Sequence, residues 1–158
     1  MRRVITVAVL LAWVAVLGMV IVIFSFSSQG GAESVGISER IVDSLIERLN
    51  LGETIKSNEW FLEHRNYIFR KIMHFLEYGL LAVLIFNAVR LLKLRWWKVA
   101  GLTLLLAVVT AMFDEFYQSS VPGRSPKVLD VLIDSMGALT AIMLCLLFRG
   151  LVRLAVRR

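Results

Sequence analysis

Apolar residues fill this chain in four long runs, and polar residues gather at the breaks between them. Val4 to Phe24 is about 21 residues without a charge, roughly 32 Å of helix and enough to cross a bilayer. Residues 67–89, 99–118 and 128–148 give three more predicted spans. The segment 25–66 between the first two is the only sizeable polar stretch. Within it, Ile41, Val42, Leu45, Ile46 and Leu49 recur at helical spacing. They predict an amphipathic helix over 38–49, with Ser38 as its N-cap and Leu51-Gly52 as its stop. Such a helix packs on the bundle, lies in the headgroups or acts as a lid. Trp60, Phe61 and Tyr67 mark an approach to the membrane interface. Pro122 and Gly123 suit the two central positions of a type II turn, with Arg124 at its exit. The expected fold class is all-α, a polytopic membrane four-helix bundle with a short amphipathic surface helix between spans 1 and 2. It forms one domain over 1–158. A cleavable signal peptide ending near Gly30-Gly31-Ala32 is the rival reading of the first run, which is long for a signal core; a retained anchor is the expectation.

Composition agrees: 58% of residues are hydrophobic and mean hydropathy is +0.75, too apolar for an ordinary soluble domain. The net charge of +6 matters less than its placement. Arg2, Arg3, the 90–98 loop and the tail after Phe148 are basic without an acid. The 25–65 segment is net acidic. The positive-inside rule then puts both termini and the 90–98 loop in the cytoplasm of a multi-pass cell-membrane protein. The acidic segment and the Pro122-Gly123 turn face outside. Nucleic acid is not an expected partner. The single cysteine, Cys145, excludes an intrachain disulfide and reads as a small apolar packing residue.

Depth brings the polar residues together. Span 2 carries Arg70, Lys71, His74 and Glu77 in its outer half. Span 3 ends outside at Asp114, Glu115 and Gln118, and span 4 begins there with Asp130 and Asp134. Ser27 and Gln29 leave span 1 at the same level. Lys71, His74 and Glu77 share an arc of about 120°, and Asp114/Gln118 and Asp130/Asp134 are i,i+4 pairs. Ionisable groups at such depth face a bundle interior or a wet cavity and mark function by default. Five carboxylates against Arg70, Lys71 and Arg124 also exceed what structural ion pairing explains. The expected site is a polar pocket open to the outside, suited to acid–base work on a phosphate- or sugar-bearing lipid. His74, Glu77, Asp114, Glu115, Asp130 and Asp134 are its candidate catalytic groups. Lys71, Gln118, Arg124, Ser27 and Gln29 are candidate substrate-binding groups. A divalent cation on Asp114, Glu115, Asp130 and Asp134 is an option that no diagnostic spacing marks, so no residue is assigned to a metal and the cofactor is left open.

Asp114-Glu115 with Gln118, the Pro122-Gly123-Arg124 turn, Asp130 and Gly137 resemble the VanZ-like membrane proteins, named after a teicoplanin-resistance protein. Ser27-Ser28-Gln29 and Lys71-x-x-His74-Phe75-x-Glu77-Tyr78 match as well, so the resemblance covers roughly Phe24 to Leu144. Asp134 departs from it, since the family often carries Asn there. The resemblance implies a role at the cell envelope, with glycopeptide resistance in some members. Three classes of activity stay open: an enzyme acting on a membrane lipid or lipid-linked envelope precursor, a non-catalytic binder that shields such a lipid or excludes a lipoglycopeptide, and a transporter. Four short helices leave little material for two access states, which disfavours the last.

Overall fold

The computed structural model describes residues 2–50, 59–124 and 127–156, and every element among them is an α-helix. In chain order these are α1 (Arg2–Ser27), α2 (Gly31–Arg48), α3 (Glu59–Arg90), α4 (Trp96–Gln118) and α5 (Val128–Val156). All but α2 are long and apolar enough to cross a membrane. Their outward faces agree with lipid as the solvent: Leu11 on α1 is 64% exposed and Phe116 on α4 74% exposed. A stripe of that kind would be a liability in water and is ordinary in hydrocarbon.

Inside a bilayer, burying leucine against leucine gains little over leucine against lipid. Helices there associate by close packing and by polar contacts. The interior faces fit that logic. On α4 the buried stripe runs Val99, Thr103, Ala107, Ala111 and then Asp114, small residues at helical spacing that lead to a carboxylate. On α5 it runs Asp134, Gly137, Ala138 and Ala141. Helix α3 supplies the bulk, with Tyr78, Leu81, Ile85 and Phe86. The core lies among α3, α4 and α5, α1 leans on α3 and α4, and Cys145 packs at the margin of the core.

The tightest point is the crossing of α3 and α5. A Cβ built on Gly137 would stand 2.1 Å from the carbonyl oxygen of Phe75. Only glycine lets the two backbones meet there. The same contact fixes the register of His74, one residue before Phe75, against Asp134, one turn before Gly137.

Two sequence expectations need correction. Ser38 does not cap a helix: α2 begins at Gly31, and the Ser38 hydroxyl, buried mid-helix, donates to the Ser34 carbonyl at 2.8 Å. The apolar periodicity shows only where the helix becomes amphipathic, and Gly31, Ser34 and Gly36 hide its earlier turns. The last helical residue of α2 is Arg48, with Asn50 in the left-handed region at φ 55, a favoured residue for that stop. The expected stop at Leu51-Gly52 lies outside the described residues. Helix α3 begins at Glu59, eight residues before the apolar window. Its polar first turns are held by α2, through Arg65 Nη1 donating to Asp43 at 2.6 Å and Asn66 Nδ2 donating to Glu39 at 3.0 Å. So α2 packs on the bundle. The expected turn forms, with Gly123 at φ 76 and the Arg124 amide donating to the Val121 carbonyl at 3.2 Å.

The Gly137 contact gives a direct test. Gly137→Ala is expected to lower stability by about 1–3 kcal/mol, because backbone and not a side-chain tip must move. At Gly79 an added Cβ meets its nearest neighbour, the Gly137 carbonyl oxygen, at an ordinary 3.5 Å. Gly79→Ala should therefore be nearly neutral. Thermal unfolding of the two variants in detergent separates these outcomes, and equal melting would refute the close approach.

Candidate functional site

Helix α4 turns its acids inward. Phe113, Phe116 and Tyr117 face outward, while Asp114 (1% exposed), Glu115 and Gln118 are buried. Asp134 on α5 is equally enclosed at 1% exposure, and His74 on α3 lies against it, with Nδ1 3.5 Å from Asp134 Oδ1. That separation suits an ion pair more than a hydrogen bond. The ligating atoms of His74, Asp114 and Asp134 all lie within 4.8 Å of one another. Three helices thus meet at one small polar centre.

A chain of hydrogen bonds holds Asp114 in place. Gln118 Nε2 donates to Asp114 Oδ2 at 3.1 Å and to Ser27 Oγ at 3.0 Å. Gln118 Oε1 accepts from Arg124 Nη1 at 2.9 Å. Two further Arg124 donors reach the carbonyls of Gln29 (3.1 Å) and Phe26 (3.3 Å) just past and at the end of α1. A cation there offsets the negative end of the α1 dipole. Burial, and then the neighbouring Arg70 guanidinium, push Arg124 below its ordinary pKa. Arg124 therefore ties α1, α4 and the turn together, and part of its fork remains for a ligand.

The other carboxylates are engaged elsewhere. Asp130 pairs with Lys71. Glu115 accepts from the backbone amide of Lys127, at the start of α5, and so caps that helix from α4. The four carboxylates that offered an optional cation site are thus split: Asp114 and Asp134 lie together beside His74, while Glu115 and Asp130 are bonded elsewhere. Residues adjacent in sequence point about 100° apart on a helix, so Asp114 meets α3 and α5 within the core while Glu115 meets the approach to α5.

Two clefts reach this centre and share Arg70, His74 and Arg124. One, of about 210 Å³, is basic: Arg70, Lys71, Arg124 and Lys127 line it against the single acid Asp130. Its Tyr67 ring lies 5.0 Å from Lys71 Nζ and 5.9 Å from Lys127 Nζ. The other, of about 150 Å³, runs between α1, α2 and α3 and is largely apolar, with Phe26, Ile37, Ile41, Phe69 and Met73. Glu77, Ser27 and Gln29 line it too. Of the sequence-predicted site residues, Ser27, Gln29, Lys71, His74, Glu77, Gln118, Arg124 and Asp130 line these two clefts, Asp114 and Asp134 are buried against His74, and Glu115 is turned to the start of α5. Arg70 and Lys127 line the cleft although helical periodicity does not single them out as site residues. Tyr78 joins the centre as well. Tyr78 is fully buried with an unpartnered hydroxyl and feels Asp114 and Asp134. Its position one turn after His74 was the available signal.

A family model described as VanZ/LLP1 matches residues 11–149. No curated protein and no solved structure matches the chain.

The Lys71–Asp130 pair, enclosed on most sides, should behave as a unit. Lys71→Met alone leaves a carboxylate without its counter-charge and is expected to cost about 2 kcal/mol. The double variant Lys71→Met with Asp130→Asn should recover most of that loss. Chemical or thermal unfolding of the four forms closes the cycle, and strictly additive losses would mean that the two do not interact.

Proposed function

The chain belongs to the VanZ/LLP1 family, and on that premise we propose that it acts at the cell envelope on a phosphate-bearing lipid, by acid–base chemistry at the headgroup. One observation carries this reading: His74 stands where a basic cleft, an apolar cleft and a pair of buried carboxylates meet. The headgroup fits the side lined by Arg70, Lys71, Arg124 and Lys127, since guanidinium and ammonium groups bind phosphate oxygens by charge-assisted hydrogen bonds. The hydrocarbon tail fits the side lined by Phe26, Ile41, Phe69 and Met73 and leaves between the helices toward lipid. His74 with Asp114 and Asp134 is the reacting centre. Glu77 is a second proton acceptor beside it, and Ser27, Gln29 and Gln118 position the groups around it.

The site is proposed to open to the outside. At the opposite end of the bundle Arg149 stacks 3.3 Å from the centre of the Trp96 ring, and Trp96 packs on Phe86. The α3–α4 loop and the basic end of α5 thus share one end, and the positive-inside rule makes it cytoplasmic. A membrane-impermeant maleimide tests this in a Cys145→Ser background. Ser120→Cys should react on intact cells, and Leu92→Cys only after permeabilisation. The reverse pattern would turn the site toward the cytoplasm.

Chemistry is tested with purified protein in nanodiscs containing a polyprenyl phosphate, a polyprenyl diphosphate or phosphatidic acid, read by phosphorus NMR and lipid mass. Wild type should convert at least one of them. His74→Gln and Asp134→Asn should lose conversion by about 100-fold or more while native mass spectrometry still finds the lipid bound. Binding that falls in step with every phenotype would favour a protein that only sequesters or shields the lipid. Because the family this chain resembles is named after a teicoplanin-resistance protein, a lipid-tailed glycopeptide is the competitor to add. Displacement of bound lipid would link the cleft to resistance.

A further inference from the structure

Four side-chain atoms at the buried end of the cleft have no hydrogen-bond partner: the Tyr78 hydroxyl and three of metal-ligating type, His74 Nδ1, Asp114 Oδ1 and Asp134 Oδ1. Those three come from three different helices, and both carboxylates are 1% exposed. Among the described residues no lysine or arginine makes an ion pair with Asp114 or Asp134. Unpartnered polar atoms at such burial are costly singly. Three of them aimed at one point call for a common occupant. A proton satisfies one oxygen and a charged histidine offsets one carboxylate, whereas a divalent cation satisfies all three atoms and both charges together.

We propose that His74, Asp114 and Asp134 form a binding site for one divalent first-row metal ion, of the zinc or manganese class. An imidazole beside two carboxylates suits those ions better than magnesium or calcium, which prefer oxygen alone. Nitrogen and oxygen ligands stand about 2.0–2.2 Å from such an ion, which puts tetrahedral ligands about 3.3–3.6 Å apart. His74 Nδ1 and Asp134 Oδ1 are already 3.5 Å apart, and the widest separation, up to 4.8 Å, closes by roughly 1 Å through side-chain rotation. The outer shell is already built: Gln118 holds the far oxygen of Asp114, and Arg124 and Ser27 hold Gln118. Supports of that kind orient a ligand and keep its other oxygen free. Three protein ligands leave a coordination position over, and the basic cleft reaches the centre at His74. A bound ion would supply an activated water and a Lewis acid there. The inference goes beyond the acid–base reading and stands without any lipid, since it concerns the ion alone.

The test uses full-length protein in detergent, freed of its affinity tag, stripped with a chelator and dialysed against zinc or manganese. Elemental analysis should find one ion per chain, and the melting temperature should rise with ion concentration. His74→Gln and Asp134→Asn should each weaken binding by 100-fold or more, and Gln118→Leu by about 10-fold as an outer-shell change. Glu47→Gln, which removes a carboxylate on the exposed face of α2 outside both clefts, should bind as wild type. Circular dichroism and size exclusion confirm that each variant is folded; His74→Gln, at the least enclosed of the three positions, keeps the test available if a carboxylate variant is not. Wild type that takes up no ion, or Asp134→Asn and His74→Gln that retain it, overturns the proposal. Protein that binds the ion but no lipid removes the lipid reading alone, and the converse removes this one.

Discussion

The close approach of α3 and α5 at Gly137 is the constraint on which the rest of the molecule depends. It needs the absence of a single Cβ, because the Phe75 carbonyl occupies the space that a methyl group would take. In a bilayer there is no large hydrophobic gain to draw helices together, so contact distance decides how strongly they hold. The same contact that fastens the bundle also sets His74 against Asp134. Stability and the polar centre therefore share one origin, and a bundle loosened here would lose both.

Around that crossing, charge is sorted into two layers of opposite sign. The outer cleft carries Arg70, Lys71, Arg124 and Lys127 against Asp130, and the enclosed centre carries Asp114 and Asp134 against His74. An anion is attracted to the first layer and a cation to the second. Arg124 connects the two. It is bonded to the end of α1 on one side and through Gln118 to Asp114 on the other. The turn that follows α4 thereby fixes a carboxylate inside the bundle.

Much of this was legible in the sequence. The four apolar runs located the four spanning helices, and counting residues inward put Glu77, Asp114, Asp130 and Asp134 at one level. The i,i+4 spacing of Asp114 with Gln118 correctly implied one face, and the two are hydrogen-bonded. The resemblance carried by Asp114-Glu115, Pro122-Gly123-Arg124 and Gly137 is matched by a family model over residues 11–149. Partner assignment was less legible. Helical periodicity says which residues share a face and nothing of which helix that face meets, so Glu115 was grouped with Asp114 although it caps α5. The start of α2 was hidden because glycine and serine carry no hydrophobic signal. Lys127 lies near the cleft through the turn, which no periodicity describes.

The most direct test of the central claim is a density map of the protein in lipid nanodiscs at side-chain resolution. The account predicts that His74, Asp114 and Asp134 converge with their ligating atoms within about 4.8 Å, behind a cleft lined by Arg70 and Arg124. Carboxylates turned toward acyl chains, or helices α3 and α5 held apart at Gly137, would contradict it.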